Sequence, residues 1–228
     1  MKYMIHVCPE RLWYVNHFIL PDMMSQGIKH NDIHFAYDEK KIGNLKSWLM
    51  SCEIIKKHYP ADEGIWHLQD DIVLSDRFAE VAEHIDGSMI VNGWVSVLFN
   101  KARYKLKGER RVADHWNSFP CIFIPNKYMI EFPEWFYTDL VQKKFHERIS
   151  ENKWDDYLFW QYMRQRHRDD KVLNLAPNIV DHVDYIIGGS VLNPKRDKLA
   201  TSAFWNEPEK LEKLKKDVDN WHKSHSTI

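Results

Sequence analysis

The sequence predicts an α/β fold: a mostly parallel central sheet covered by helices on both faces. Three observations lead there. Short apolar runs at residues 3–7, 32–37 and 64–68 alternate with longer segments that carry apolar residues at helical spacing, which is the order of a sheet built from strand–helix–strand units. Each run stops at polar residues or proline, at Cys8-Pro9, Asp38 and Asp70-Asp71. A chain of 228 residues that is 44% hydrophobic is long enough to bury a sizeable core in one domain.

Taken in order, residues 3–7 form the first strand. Pro9 and Glu10 suit the first turn of a helix whose stripe is Leu12, Val15 and Ile19 and which Pro21 breaks or kinks. Residues 32–37 are the second strand. Asn44 then caps a helix with Leu45, Trp48, Leu49, Cys52 and Ile55 on one face. After Gly64 an apolar run ends in Gln69-Asp70-Asp71 and a second one, Ile72-Val73-Leu74, leads to Ser75, the expected cap of a helix with Phe78, Val81, Ala82 and Ile85 inward. Residues 88–98 read as one or two strands interrupted at Asn92-Gly93.

Residues 101–111 are the one strongly basic segment, either a solvated loop or an edge strand or ribbon. Residues 119–125 read as a strand bracketed by prolines, residues 131–142 lead into a helix, and Asp155 caps a helix to about Gln165. Residues 172–175 are a short strand, and Gly188-Gly189-Ser190 is a tight turn. The segment 207–222 is polar, with Leu211 and Leu214, and reads as a mostly exposed helix. The expected organisation is one domain over residues 1–205 and a helical tail over 206–228.

Composition narrows the function. A net charge of −1 gives no global basic field for nucleic acid, so any such contact needs a local patch. The three cysteines, Cys8, Cys52 and Cys121, are far apart and show no metal or disulfide spacing, which suits a reducing compartment. The N-terminus does not read as a signal peptide and no apolar run reaches membrane-spanning length, so the expected location is the cytoplasm.

Asp70 and Asp71 would repel one another at a strand end unless a cation lies between them. A divalent ion is one remedy, since carboxylate oxygens suit Mg²⁺ or Mn²⁺, and a solvated turn is the plain alternative. In open parallel sheets ligands bind beyond the carboxyl ends of the strands, where Pro9, Asp38 and the Asp pair fall. Asp155-Asp156 is a second acidic pair, at a helix start, where capping and the helix dipole are the simple explanation. Lys105, Lys107, Arg110 and Arg111 form a basic arm that could meet phosphates on an acceptor, with Trp116 available for stacking.

The order of these pieces resembles the metal-dependent glycosyltransferases of the GT-A fold, which use nucleotide-sugar donors. Leu68-Gln69-Asp70-Asp71 stands where that family has an aspartate-any-aspartate motif, with Gln69 in place of the first acid. Asp155-Asp156 is similar to the position of the catalytic base, residues 177–182 ahead of Gly188-Gly189-Ser190 to the late metal-binding His, and Lys195-Arg196 to a closing basic loop. The chain also looks, more loosely, like small glycosyltransferases of phage and bacterial genomes, which would put it in the host cytoplasm if phage-encoded.

The resemblance implies transfer of a sugar, UDP-linked by preference, to an acceptor hydroxyl with Mn²⁺ or Mg²⁺; inversion at the anomeric carbon follows if Asp156 is a base opposite the leaving group, and retention stays open otherwise. It implies Asp71 and His182 as metal ligands, and Asp70 as a donor-sugar or outer contact. It implies Arg11 and Asp38 at the nucleotide, Lys195 and Arg196 at the diphosphate, and Asp156 as base with Asp155 as second choice. A saccharide, lipid headgroup, protein side chain or hydroxymethylated base in DNA all stay open as acceptor. A nucleotidyltransferase would usually carry a glycine-rich loop after the first strand, which Cys8-Pro9-Glu10-Arg11 lacks. A non-catalytic nucleic-acid or carbohydrate binder on this fold would need the basic arm but not both acidic pairs.

Overall fold

The computed structural model describes residues 1–94, 108–112, 119–175, 177–188 and 206–225. Nine strands are present among them: β1 (Lys2–Val7), β2 (Ile33–Tyr37), β3 (Gly64–Gln69), β4 (Ile72–Leu74), β5 (Ile90–Asn92), β6 (Gly108–Arg111), β7 (Cys121–Pro125), β8 (Lys171–Asn174) and β9 (Val180–His182). Seven of them form one sheet in the order β2-β1-β3-β7-β5-β8-β6, and β4 pairs with β9 in a separate ribbon. β1, β2, β3, β5 and β8 run one way and β7 and β6 the other, so the sheet is mixed but mostly parallel.

Alternation along the strands divides the core in two. Tyr3, Ile5 and Val7 of β1, with Trp66 and Leu68 of β3, face one side. They meet α1 (a continuous run of Leu12–Tyr14, Val15–Ile19 and Leu20–Ser25), α3 (Phe78–Glu83) and the C-terminal helix. Met4, Ile65, Ile122 and Ile124 face the other side, against α2 (Asn44–His58), α4 (Asn126–Phe136) and α7 (Asp155–Arg166). Two short helices, α5 (Asp139–Lys144) and α6 (His146–Glu151), join α4 to α7.

Several local expectations change. Pro21 does not end α1. The preceding turn, Val15–Ile19, widens to a π-helix, and Pro21 falls in the first turn of the segment that follows. A π turn relieves a proline that has no N–H to give and would crowd the carbonyl one turn back.

Asn44 does not cap α2. The cap position is Gly43, at φ 91°, and the free N–H groups are met from elsewhere. Asp38 accepts from Ile42 N (2.7 Å) and Gly43 N (3.1 Å), while Asn152 Oδ1 accepts from Lys46 N (3.1 Å). Asp155 is likewise the first residue of its helix and not the cap. Ser75 precedes α3 by a turn, and its Oγ donates to Glu207 (2.5 Å).

The C-terminal helix, α8 (Pro208–His225), is exposed along most of its length but lays Leu211, Leu214 and Val218 into the first core, and Trp221 stacks on Trp13 at 4.1 Å. Among the described residues no helix is long and apolar enough to cross a membrane.

Candidate active site at the carboxyl end of β3

β3 ends at Gln69, and Asp70-Asp71 form the turn into β4. β4 runs antiparallel to β9 with Ile72 opposite His182, and Val183 N donates to the Asp71 carbonyl (2.8 Å). This ribbon brings the late histidine to the aspartates. His182 Nε2 lies 3.1 Å from Asp71 Oδ2, and its Nδ1 lies 3.4 Å from Asp184 Oδ1.

The cation between the two aspartates is Arg11. It closes the single helical turn Pro9–Arg11 after β1, the neighbour of β3 in the sheet. Its Nη1 donates to Asp70 Oδ1 (3.1 Å) and to Asp71 Oδ2, while Cys8 N donates to Asp70 Oδ2 (2.7 Å). Arg11 is 6% exposed, and Asp70 and Asp71 are 7% exposed. The mutual repulsion expected of the Asp pair is therefore met by a residue of the chain itself.

Burial raises both carboxyls, but neighbours separate them. Asp71 ends well below the usual carboxylate range, because the charges of His182 and Arg11 outweigh its burial. Asp70 ends above it, because burial and the Asp71 charge outweigh Arg11. Burial alone would lower His182, yet Asp71 and Asp184 push it up to about 10.

Asp71 Oδ1 is buried and accepts no hydrogen bond among the described residues, so one hard oxygen is unused. Asp71 and, once its imidazole has given up a proton, His182 fit two positions around a divalent ion, with phosphate oxygens and water left to fill the rest. No group of three or more His, Cys, Asp or Glu among the described residues is arranged to hold a metal by itself.

The other expected residues are dispersed. Both oxygens of Asp38 accept from the backbone of the loop before α2. Asp155 and Asp156 lie in the first turn of α7, on the opposite face of the sheet from α1, and no hydrogen bond or ion pair among the described residues joins them to Asp71, His182 or Arg11. Burial, and then the charge of Asp156, raise Asp155 to about 8, so near neutral pH it largely keeps its proton. Asp156 Oδ1 accepts from Tyr157 N (2.7 Å).

Arg110 and Arg111 lie on β6, the edge strand, four positions across from β3; at ordinary strand spacing that is about 19 Å. Lys105, Lys107, Trp116, Lys195 and Arg196 fall outside the described residues, as do Gly189 and Ser190.

Two contributors were not assigned from sequence. Asp184 is 1% exposed and stands behind His182. The i, i+2 spacing of His182 and Asp184 was the available signal. The Cys8 amide, which holds Asp70, had no sequence signal, since any residue supplies a backbone N–H.

No family model matches the chain, and no curated protein matches it in sequence. Among solved structures, the galactosyltransferase LgtC in complex with donor and acceptor sugar analogues is similar with a TM-score of 0.48 at 10% identity, over 95% of this chain and 96% of that one. A glycosyltransferase involved in glycosylating the major capsid of PBCV-1 is similar with a TM-score of 0.37 at 12% identity, over 94% of this chain and 99% of that one.

Proposed function

We propose that the chain is a glycosyltransferase that takes a sugar from a nucleotide-diphosphate donor, UDP-linked by preference, to an acceptor hydroxyl. The observation that carries this is the meeting of Asp71, His182 and Arg11 in one buried cluster beyond the carboxyl ends of β1 and β3, with Asp71 Oδ1 left without a partner. The carboxyl ends of the strands are where open α/β sheets bind ligands. The cluster's residues can supply a guanidinium for phosphate oxygens and two ligands for a hard cation.

In the reaction, the acceptor oxygen bonds to the anomeric carbon and the bond from that carbon to the diphosphate breaks. The electron pair leaves with the nucleoside diphosphate, and the acceptor proton passes to a carboxylate. Asp71 and His182 would hold Mn²⁺ or Mg²⁺, which as a Lewis acid neutralises charge on the departing phosphates. Asp184 Oδ1, 3.4 Å from His182 Nδ1, is placed to orient the imidazole, as a carboxylate behind a ligating histidine commonly does. Arg11 binds phosphate oxygens. Of the second acidic pair, Asp156 suits the base. Asp155, the second choice, suits it less, because burial and the charge of Asp156 raise it to about 8. A base opposite the leaving group gives inversion.

For a DNA acceptor the basic arm is required, and charge reversal at Lys105, Lys107, Arg110 and Arg111 would weaken DNA binding and flatten its salt dependence.

A donor screen tests the proposal. The protein is incubated with Mn²⁺ and each nucleotide-sugar, and free nucleoside diphosphate is measured. Slow donor hydrolysis that stops in Asp71→Ala is the expected result. No binding or turnover of any donor, with metal or without, would overturn it.

A further inference from the structure

We infer that Arg11 is a resident counter-ion of the metal position. It keeps Asp71 closed to a divalent cation until an anionic diphosphate draws the guanidinium away, so that metal and nucleotide bind together and neither binds well alone. The inference rests on the proposal that this cluster is a phosphate-and-metal site, and concerns how that site is loaded.

Geometry comes first. Asp71 offers Oδ2 to both Arg11 and His182, and only Oδ1 is unused. A hard cation on Asp71 would therefore sit beside a guanidinium already bonded to the same carboxylate. Both charges would lie among residues that are 6–9% exposed, where water screens little.

Charge balance points the same way. A divalent ion added alone would place two more positive charges beside the guanidinium already bonded to Asp71, inside a buried cluster. A diphosphate brings the negative charge that offsets them, and its oxygens match the guanidinium fork.

Arg11 is also placed to change partners. It ends a single helical turn between β1 and α1, and it holds Asp70 as well as Asp71. Releasing Asp71 leaves the contact to Asp70, whose other oxygen stays on Cys8 N. The cluster thus has a retained half and a released half. Gln69, at the end of β3, adds no carboxylate that could recruit the metal ahead of the nucleotide.

The test is Mn²⁺ binding to the full chain, by calorimetry and by the electron paramagnetic resonance of free Mn²⁺, with and without UDP. In the wild type, UDP should tighten Mn²⁺ binding by at least about 10-fold. Arg11→Gln should bind Mn²⁺ without UDP at least about 10-fold more tightly than the wild type and gain less from UDP than the wild type does. Adding Asp71→Asn to that variant should abolish the gain, which places the ion at this site.

Near-UV circular dichroism checks folding. If Arg11→Gln does not fold, Arg11→Lys carries the comparison, since an ammonium keeps the charge but loses the fork, and it should fall between the two. Equal Mn²⁺ affinity in wild type and variant, with no effect of UDP, overturns the inference and leaves the metal site standing. No Mn²⁺ binding by either protein, with UDP or without, overturns both.

Discussion

His182 Nε2 lies 3.1 Å from Asp71 Oδ2, and the β4–β9 ribbon delivers that contact by setting His182 opposite Ile72. Removing the imidazole leaves Asp71 and Asp184 facing one another's charge in a buried space. We predict that His182→Ala loses about 3 kcal/mol of stability, as expected when one partner of a buried ion pair is removed. Urea unfolding measures it. Asp71→Asn in the same background should recover about 1 kcal/mol or more, because neighbouring charges couple. Simple additivity of the two changes would show that the pair is not coupled.

Asp155 is predicted to be a stability cost. Its folded pKa is raised to about 8 from an ordinary carboxyl value of 3.8. For a raised carboxyl, ionisation favours the unfolded chain, so stability falls as pH rises from about 4 to 8 and is level above that. Asp155→Asn should therefore be more stable than the wild type by about 2 kcal/mol at pH 8, a fraction of the roughly 1.4 kcal/mol per pH unit that a full shift implies. At pH 4 the difference should vanish. Thermal melts across this range decide it, and an advantage that does not grow with pH would contradict the cause given.

The start of α2 depends on a residue far along the chain. Asn152, at φ 53°, presents Oδ1 to Lys46 N, and its Nδ2 donates to the Ile42 carbonyl. Asn152→Gly keeps the left-handed backbone but loses the side chain, and should cost about 1–2 kcal/mol, the usual worth of a helix cap. Gly43→Ala should cost at least as much. Its φ is 91°, and a Cβ there would lie 2.4 Å from Asn152 Nδ2. Chemical denaturation of the two variants and their combination is the measurement. A neutral Asn152→Gly would mean that water replaces the cap.

Acid should weaken the second core. His6 Nε2 and His67 Nδ1 are 3.0 Å apart beside Trp48, and burial lowers His6 to about 4 and His67 well below its ordinary value. For a histidine with a depressed folded pKa, the unfolded chain takes up the proton first. The stability of the neutral pair is thus whole above pH 6.5 and is lost as pH falls from there toward 4. For His6 alone the loss is at most about 3 kcal/mol. Urea midpoints between pH 8 and 4.5 should drop in the wild type and drop less in His67→Asn. An equal slope in both would rule out the pair as the source.

The sequence by itself determined the strand–helix alternation, the inward faces of α2 and α3, and the abrupt end of β3 in two acids. These follow from periodicity and from local chemistry, which act over a few residues. His182 came to notice only through the resemblance to the GT-A family. Only the tertiary structure decided that Arg11 answers the Asp pair, since that contact depends on β1 and β3 being neighbours in the sheet. Only the tertiary structure decided that Asn152 caps α2, and that α8 docks through Leu211, Leu214 and Val218. Helix ends and buried charges are satisfied by whatever donor or acceptor folding brings close, and a linear pattern does not record that proximity. For Asp70 and Asp71, the sequence called for a cation, and the fold supplied one from its own first turn.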